Sequence, residues 1–249
     1  MTRRRWIAEH WDEATATLTG SQADHLIRVL RVRPGVEADV VAGGRVFHSV
    51  VAGINEEGQG SGPEVRFNLI SEVEAEPPMP VTLVMSIFKF DHMEWAIEKA
   101  TELGVAAIVP VIARRTEKHL AQVAMKRVER WRRIVHEASQ QSRRSDVPTI
   151  LDPLKLADHV KAASNEKRLV LAEQERSTTL RAALQEAMSR ASADMPAIEL
   201  AIGPEGGWAP EEEALFDAQG WQAVSLGPRI LRAETAAIAA LAVVASTLE

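Results

Sequence analysis

The sequence contains no cysteine, which excludes disulfide bonds and metal sites built on thiolates. It also lacks a long apolar run: the longest, 236–245, is far shorter than the roughly 18 residues that suggest a membrane span. The N-terminus carries arginines but no apolar segment behind them, so we expect no signal peptide. These absences favour a soluble, cytoplasmic protein without a membrane segment.

Two strand–glycine–helix units follow each other near the C-terminus. An apolar strand, Ile198–Ile202, leads into a glycine-rich turn at 203–207 and then into a helix that begins at Pro210. A second strand, Gln222–Leu226, leads through another glycine turn to a final helix from about Glu234. Glycines at strand ends let a ligand approach the backbone, and open α/β sheets bind ligands at the carboxyl ends of their strands. We therefore predict a ligand site here.

The glycine-rich turn, with the sequence GPEGG, lacks the features of the common nucleotide-binding loops. It matches neither G-x-G-x-x-G nor G-x-x-x-x-G-K-[ST], and it contains no lysine to hold a phosphate. No serine nucleophile elbow is present, and the seven histidines show no metal-ligand spacing, so no metal is expected. The residues alone support a small-molecule site at a strand–helix turn, or only a tight structural connection.

Residues 1–73 are predicted to form a compact β-rich module of the small-barrel type, because short strand patterns alternate with glycine and proline turns. One helix interrupts it, from Ser21 to about Leu30, with Ser21 as the N-cap and Leu26, Val29 and Leu30 facing the core. The predicted strands and loop are Arg4–Ala8, Ala16–Leu18, Glu37–Ala42, Arg45–Ile54, the loop Gly58–Pro63, and Glu64–Ile70.

Residues 74–80 contain three prolines in four positions, which cannot continue a helix or a central strand, so a linker is predicted there. In 81–249, strand and helix patterns alternate, which indicates an α/β domain with a mostly parallel sheet and helices on both faces. The predicted elements before the glycine turns are strands at Val81–Ile87, Ala106–Ile112 and Arg168–Ala172, and helices from Asp91 to Gly104, Ala121 to Gln141 and Thr178 to Arg190.

The charge distribution indicates a local basic surface on an acidic protein. The net charge is −6, yet residues 114–144 contain ten Lys or Arg and only three Asp or Glu. Such a segment can bind phosphates in spite of the net charge, because phosphate contacts are local and screened. A solvated helix face is the alternative interpretation.

The last predicted helix, Glu234–Leu248, is apolar almost all round. A helix without a polar face is usually buried on more than one side. A subunit interface would achieve this for a helix at the end of the chain, and we therefore expect a homodimer.

Several segments carry a resemblance to a known family. IGPEGGW at 202–208 and SLGPRILRAETAAIAAL at 225–241 resemble the C-terminal signature of the SPOUT-class RNA methyltransferases. Within that class, HLIRVLR at 25–31, EKATELGV at 98–105 and EASQQSRR at 137–144 resemble segments of the RsmE family. The match runs nearly the whole chain. It departs at the residue after Pro34-Gly35, which is valine where the family usually has aspartate.

The resemblance implies methylation of N3 of a uridine in bacterial 16S ribosomal RNA, with S-adenosylmethionine as the methyl donor. It implies a PUA-like β-barrel domain at 1–73, a linker at 74–80, and a SPOUT domain at 81–249 whose C-terminal part is tied in a trefoil knot. The donor would bind inside the knot of a homodimer. A non-catalytic RNA-binding or ribosome-assembly protein on the same fold is the alternative, and an α/β enzyme using another nucleotide is disfavoured by the missing lysine.

The resemblance also assigns roles to residues. Arg232 is expected to face the base and to stabilise negative charge that develops on its carbonyl oxygens. Glu205 would accept a hydrogen bond from the donor or act as the base, although acids also occur at helix N-termini for electrostatic reasons. Glu234 and Thr235 are expected to cap the last helix and shape the knot. The residues expected to contact the donor are Leu171, Ala172, Glu173, Ile202, Gly203, Pro204, Glu205, Gly206, Gly207, Leu226, Gly227, Ile230, Leu231, Arg232, Thr235 and Ala236.

Basic residues are predicted to bind the RNA substrate. Those in or near the 114–144 segment would contact phosphates, together with arginines of the N-terminal module. The imide of a paired uracil is buried, so the target base should be unpaired or made accessible. The predicted RNA contacts are Arg28, Arg31, Lys89, Arg114, Arg115, Lys118, Arg130, Arg133, Arg143 and Arg144.

Overall fold

A computed structural model describes residues 5–56, 62–190 and 196–248. The chain forms two compact units, the first made of 1–77 with 139–146 and the second of 78–138 with 147–249. The segment 139–146, which the sequence places in the second domain, therefore packs with the first unit. The predicted strand start at Arg4 and most of the predicted loop at Gly58–Pro63 lie outside the described residues.

The first unit is built on a six-stranded sheet with the order β1-β4-β5-β6-β3-β2, in which only the β1–β4 pair is parallel. Leu18, Leu26 and Phe67 are fully buried in its core. The strands are β1 (Trp6–Ile7), β2 (His10–Trp11), β3 (Thr15–Thr19), β4 (Glu37–Ala42), β5 (Arg45–Asn55) and β6 (Glu64–Val73).

The helix of the first unit differs from its prediction. It begins at Gly20 rather than Ser21, with Thr19 at the N-cap, and continues as α1 (Gly20–Asp24) into a π-helical turn at His25–Val29. Val29 is 64% exposed and Leu30 36%, so neither faces the core as predicted, whereas Leu26 is buried. The π-helical turn rotates the residues that follow, and a strict 3.6-residue period no longer tells which of them are buried.

The second unit is a parallel sheet with the order β10-β8-β7-β12-β11-β13, and β9 pairs with β8 outside this path. All of its strand pairs are parallel. The strands are β7 (Met79–Ser86), β8 (Val105–Ile112), β9 (Thr149–Ile150), β10 (Leu154–Lys155), β11 (Lys167–Leu171), β12 (Ile198–Ile202) and β13 (Gln222–Val224).

Helices cover both faces of this sheet, as the alternating pattern predicts. Along β7, Leu83 and Met85 belong to one apolar core and Val84 to another, because successive side chains of a strand point to opposite faces. The helices are α2 (Phe90–Glu102), α3 (Lys118–Val123), α4 (Val128–Gln141), α5 (Leu156–Ala162), α6 (Leu180–Arg190), α7 (Pro210–Ala218) and α8 (Ala233–Leu248). The fold of the chain is thus mixed α/β.

Three parts of the second unit differ from their predictions. The helix predicted from Ala121 to Gln141 consists of α3, a 3₁₀ turn at Ala124–Arg127 and α4. Strands β9 and β10 and helix α5 were not predicted. Strand β7 begins at Met79, inside the predicted linker, and includes Pro80 at a point where its register with β8 is irregular.

Helix α8 packs against α2 and α6. One side of α8 is fully buried, at Ala237, Ala240, Leu241 and Val244. This burial explains why that side carries no polar residues.

Candidate functional site

A cavity of about 340 Å³ lies in the second unit at the carboxyl ends of three adjacent strands, β12, β11 and β13. It is lined by three segments, 171–176, 202–208 and 224–233, with further residues from neighbouring elements. Each segment directly follows or includes the last residue of its strand. The cavity is therefore at the edge of the sheet where α/β folds bind ligands.

The cavity brings together most of the residues that the sequence assigns to the donor site, including both catalytic candidates, Arg232 and Glu205. Thr235 is exposed and does not line it. The predicted residues that line the cavity are Leu171, Ala172, Glu173, Ile202, Gly203, Pro204, Glu205, Gly206, Gly207, Leu226, Gly227, Ile230, Leu231, Arg232 and Ala236.

Trp208, which was not predicted as a site residue, holds the first two segments together. Its indole Nε1 donates a hydrogen bond of 2.9 Å to the carbonyl oxygen of Leu171. A Cβ atom on Gly203 would lie 3.3 Å from the indole ring, a contact tight enough that the ring would have to shift by a few tenths of an ångström. The aromatic residue directly after the GPEGG turn is the sequence signal that could have identified Trp208 as a site residue.

Trp208 belongs to a cluster of three aromatic rings. The ring of Phe216 lies edge-on to Trp208, with the centroids 4.9 Å apart, and Trp221 lies edge-on to Phe216 at 5.2 Å. Offset and edge-on aromatic contacts stabilise a packed arrangement beyond the area they bury. The indole that supports the glycine turn is therefore firmly held.

The segment after β13 is fixed by Ser225. Its hydroxyl accepts a hydrogen bond of 3.1 Å from the N–H of Gly227, and its backbone pairs with residues 178 and 180. These bonds bring 224–227 beside the loop that follows β11. Ser225 and Val224 also line the cavity; Ser225 opens the SLGPRILRAET signature, whereas no motif marks Val224.

A carboxylate organises the loop that follows β11. Glu175 Oε1 accepts hydrogen bonds from the hydroxyl of Ser177 at 2.6 Å, and from the N–H groups of Ser177 and Thr178 at 2.6 and 2.9 Å. The Ser177 hydroxyl bond is the largest of these causes, and together they lower the pKa of Glu175 to about 2. The ionised carboxylate thus keeps 175–178 folded beside the cavity-lining residues Gln174 and Arg176.

The cavity is lined by charges of both signs. Four arginines (115, 176, 229 and 232) and three glutamates (173, 205 and 213) contribute to its lining. Arg229 lies within the GPRILR segment, so the sequence could have identified it as a site residue. No motif in the sequence marks Arg176. Such a lining suits a ligand that carries both a carboxylate and ammonium or hydroxyl groups.

Arg115, a predicted RNA contact, lines the cavity. Its guanidinium Nη1 donates a hydrogen bond of 2.6 Å to the carbonyl oxygen of Gly206.

The other predicted RNA contacts differ in how freely their side chains can meet a phosphate. Lys89, Arg114, Lys118 and Arg133 are exposed in the second unit. Arg130 is exposed but donates a hydrogen bond of 2.8 Å to Glu94.

In the first unit, Arg28 forms an ion pair of 2.6 Å with Asp24. Arg31 and Arg143 are exposed and adopt positive φ angles of 51° and 64°. Arg144 differs from the others: its side chain is only 7% exposed and its guanidinium pairs with Asp146 at 2.6 Å. In this structure the guanidinium is therefore not open to a phosphate, and its contact with RNA stays a prediction.

Comparison with known proteins identifies the family. A family model described as an RNA methyltransferase domain matches residues 75–245. The ribosomal RNA small subunit methyltransferase E of Synechocystis is 39% identical, over 95% of this chain and 75% of its own length. That of Mycobacterium tuberculosis is 34% identical, over 93% of this chain and 86% of its own length. The chain belongs to the ribosomal RNA small subunit methyltransferase E family.

A solved structure of this RsmE family has the same fold. The enzyme from Neisseria gonorrhoeae, bound to S-adenosyl methionine, is 31% identical and superposes with a TM-score of 0.79, covering 96% of this chain and 95% of its own. In residues 5–56, 62–190 and 196–248 of this RsmE chain, no cluster of three or more His, Asp or Glu side chains is arranged to hold a metal ion. Among the helices described, none has the length and apolarity needed to cross a membrane.

Proposed function

We propose that this RsmE-family chain transfers a methyl group from S-adenosylmethionine to N3 of a uridine in 16S ribosomal RNA. The proposal rests on one observation: a single cavity is lined by the segments 171–176, 202–208 and 224–233. These segments include the motifs on which the family resemblance rests. The family membership favours this activity over a non-catalytic assembly role.

The lining of the cavity suits S-adenosylmethionine. Ile202 is buried and Leu171, Leu226 and Leu231 are half-buried, so they offer apolar walls to a flat adenine ring while backbone groups read its edge. The volume of about 340 Å³ is in the range of small-molecule sites. Arginine and glutamate side chains at the cavity match the carboxylate, ammonium and ribose hydroxyl groups of this donor.

The reaction needs a positioned acceptor base and compensation of its charge. When bound, S-adenosylmethionine supplies an electrophilic methyl group on a sulfonium. The guanidinium of Arg232 is exposed at the cavity, where it would hold the uracil and stabilise negative charge on its carbonyl oxygens as the N3 proton leaves. The exposed carboxylate of Glu205 is the candidate to accept that proton or to bind the donor. Positioning is expected to be the larger part of the effect.

Exposed basic residues of both units would bind the RNA backbone. Arg114, Lys118 and Arg133 in the second unit, and Arg31 in the first, are the best placed among these exposed residues. Arg28, Arg130 and Arg143 would have to exchange their carboxylate partners for a phosphate. Since these contacts are electrostatic, binding should weaken steeply with salt.

We further propose that the first unit is a PUA-like barrel, that 198–235 lie in a trefoil knot, and that the protein is a homodimer. The two glycine turns of the proposed knot line one cavity, which supports their passing beside each other. In the proposed dimer, a second subunit would cover Ile230, an apolar side chain that is 76% exposed at the cavity. Light scattering at micromolar concentration would test the dimer: a single monomer mass would contradict it.

The activity is tested with purified protein, small-subunit rRNA and methyl-labelled S-adenosylmethionine. We expect one methylated uridine per RNA, mapped as a stop in reverse transcription because a methyl group on N3 blocks base pairing. Arg232→Gln should lower the rate by about 100-fold or more, the usual effect of removing one charge-stabilising group. Lys155→Gln, an exposed change outside the cavity, is the control. Absence of labelled RNA with the folded wild-type protein would contradict the proposal.

A further inference from the structure

The loop that follows β8 is joined to the glycine turn of the cavity by the side chain of Arg115. Its Nη1 donates a hydrogen bond of 2.6 Å to the carbonyl oxygen of Gly206. A Cβ atom on Gly206 would lie 3.4 Å from Cδ and 3.6 Å from Cβ of Arg115, so the aliphatic part of the arginine also packs on the turn. The contact therefore involves the whole side chain.

The loop carrying Arg115 is itself held in place. Thr116 Oγ1 accepts a hydrogen bond of 3.1 Å from the N–H of Ala113 and lies 3.3 Å from the carbonyl oxygen of Ile87, to which it donates. Glu212 bridges the loop to the start of α7: its carboxylate accepts from the N–H of Arg114 at 2.6 Å and from that of Ala209 at 2.9 Å. Residues 113–116 thus form a fixed base from which Arg115 reaches the turn.

Holding the Gly206 carbonyl fixes the peptide plane between Gly206 and Gly207. The N–H at the other end of that plane, on Gly207, donates a hydrogen bond of 2.8 Å to Pro204. Two consecutive glycines have the largest backbone freedom of any dipeptide, so an unheld turn would have to be ordered when a ligand binds. A turn that is ordered beforehand avoids that cost.

We infer that Arg115 is a positioning residue for S-adenosylmethionine: it orders the 203–207 turn before the donor binds, instead of contacting an RNA phosphate. The inference rests on the proposed function. Its consequence is that Arg115 affects donor affinity when no RNA is present. An RNA-contacting role predicts the reverse, a change in RNA affinity with donor affinity unchanged.

The test measures S-adenosylmethionine binding by calorimetry on the full chain without RNA. We expect Arg115→Gln to weaken binding by about 10- to 100-fold, the range for losing a hydrogen bond from a charged donor. Arg115→Lys, which keeps the charge and most of the stem, should recover part of the loss. Arg181→Gln is the matched control, because Arg181 is an exposed arginine of α6 that neither lines the cavity nor belongs to the predicted RNA contacts.

Thermal unfolding of each variant distinguishes positioning from a general loss of structure. A weakened donor affinity at an unchanged melting temperature, together with an unchanged salt dependence of RNA binding, supports the inference. Equal donor affinities for wild type and Arg115→Gln would overturn the inference alone, whereas wild type that does not bind the donor would overturn the proposed function. If Arg115→Gln does not fold, Arg115→Lys decides: donor affinity equal to that of wild type contradicts the inference.

Discussion

The imidazole Nδ1 of His92 lies 3.1 Å from Oε1 of Glu234, which joins α2 to the first turn of α8. The Glu234 side chain is only 8% exposed. The sequence predicts that Glu234 caps the last helix, but that helix begins at Ala233, so Glu234 is inside its first turn. The carboxylate binds a neighbouring helix next to the cavity-lining residues Arg232 and Ala233.

We expect Glu234→Ala to lower the free energy of unfolding by about 1–3 kcal/mol, because it removes a buried carboxylate that lies 3.1 Å from the His92 imidazole and leaves that polar group without this partner. Urea denaturation would measure the change. Asp91→Asn is the control: Asp91 lies 3.8 Å from the other ring nitrogen of His92 and is 80% exposed, so its loss should change stability by less than about 0.5 kcal/mol. Equal effects of the two substitutions would contradict this role of Glu234.

The two adjacent glycines of the cavity turn should respond differently to alanine. Gly207 has a φ of +68°, which costs a residue with a Cβ atom about 1–2 kcal/mol, whereas Gly206 has an ordinary φ and space for a methyl group against Arg115. Gly207→Ala should therefore lower the melting temperature and weaken S-adenosylmethionine binding. Gly206→Ala should change stability little. A reversed order of the two melting temperatures would show that backbone strain is not the deciding factor.

Glu175 should contribute to stability in a pH-dependent way. Its pKa is lowered to about 2 in the folded chain, so the unfolded chain binds more protons and the contribution is complete above the ordinary pKa of 4.5. It is lost as the pH falls from there through about 2. Glu175→Gln should thus have a lower melting temperature than wild type at pH 7, with the difference shrinking below pH 4.5. A difference that stays constant down to pH 3 would contradict this.

Local signals explain why the cavity could be predicted from the sequence. Strand β12 has the predicted bounds Ile198–Ile202, and α7 begins at Pro210 as predicted, because an apolar run, a glycine turn and an N-terminal proline are all cues within a few residues. The position of Trp208 under the turn follows from packing against Phe216 and Trp221, which no local pattern specifies.

The burial of charged residues also depends on packing that no local sequence pattern specifies, so it could not be predicted. Arg143 and Arg144 look alike in the sequence, yet one is exposed and the other is buried against Asp146. The difference arises after α4 ends, where Arg143 adopts a left-handed conformation and the N–H of Arg144 donates to the carbonyl of Ser139 at 2.9 Å. This helix-terminating turn usually contains glycine at the left-handed position, and a sequence with arginine there gives no warning of it.

Substituting Arg143 and Arg144 one at a time tests their contributions to RNA binding and to stability separately. Arg143→Gly relieves a left-handed φ of 64°, worth about 1 kcal/mol, and loses an ion pair of 3.7 Å to Asp39, worth about 0–1 kcal/mol. Stability should therefore be unchanged or slightly higher. If Arg143 contacts a phosphate, RNA affinity should fall and the slope of log affinity against log salt should decrease in magnitude by roughly 0.7–0.9.

Arg144→Gln should do the opposite. The loss of a buried guanidinium paired with Asp146 should lower the free energy of unfolding by on the order of 2 kcal/mol, while the salt slope of the folded variant stays that of wild type. Urea denaturation and fluorescence anisotropy with a labelled small-subunit rRNA fragment at several salt concentrations measure both quantities. A smaller slope for Arg144→Gln without loss of stability would mean that this guanidinium leaves Asp146 to bind RNA, since an arginine that remains buried cannot release counterions from a phosphate.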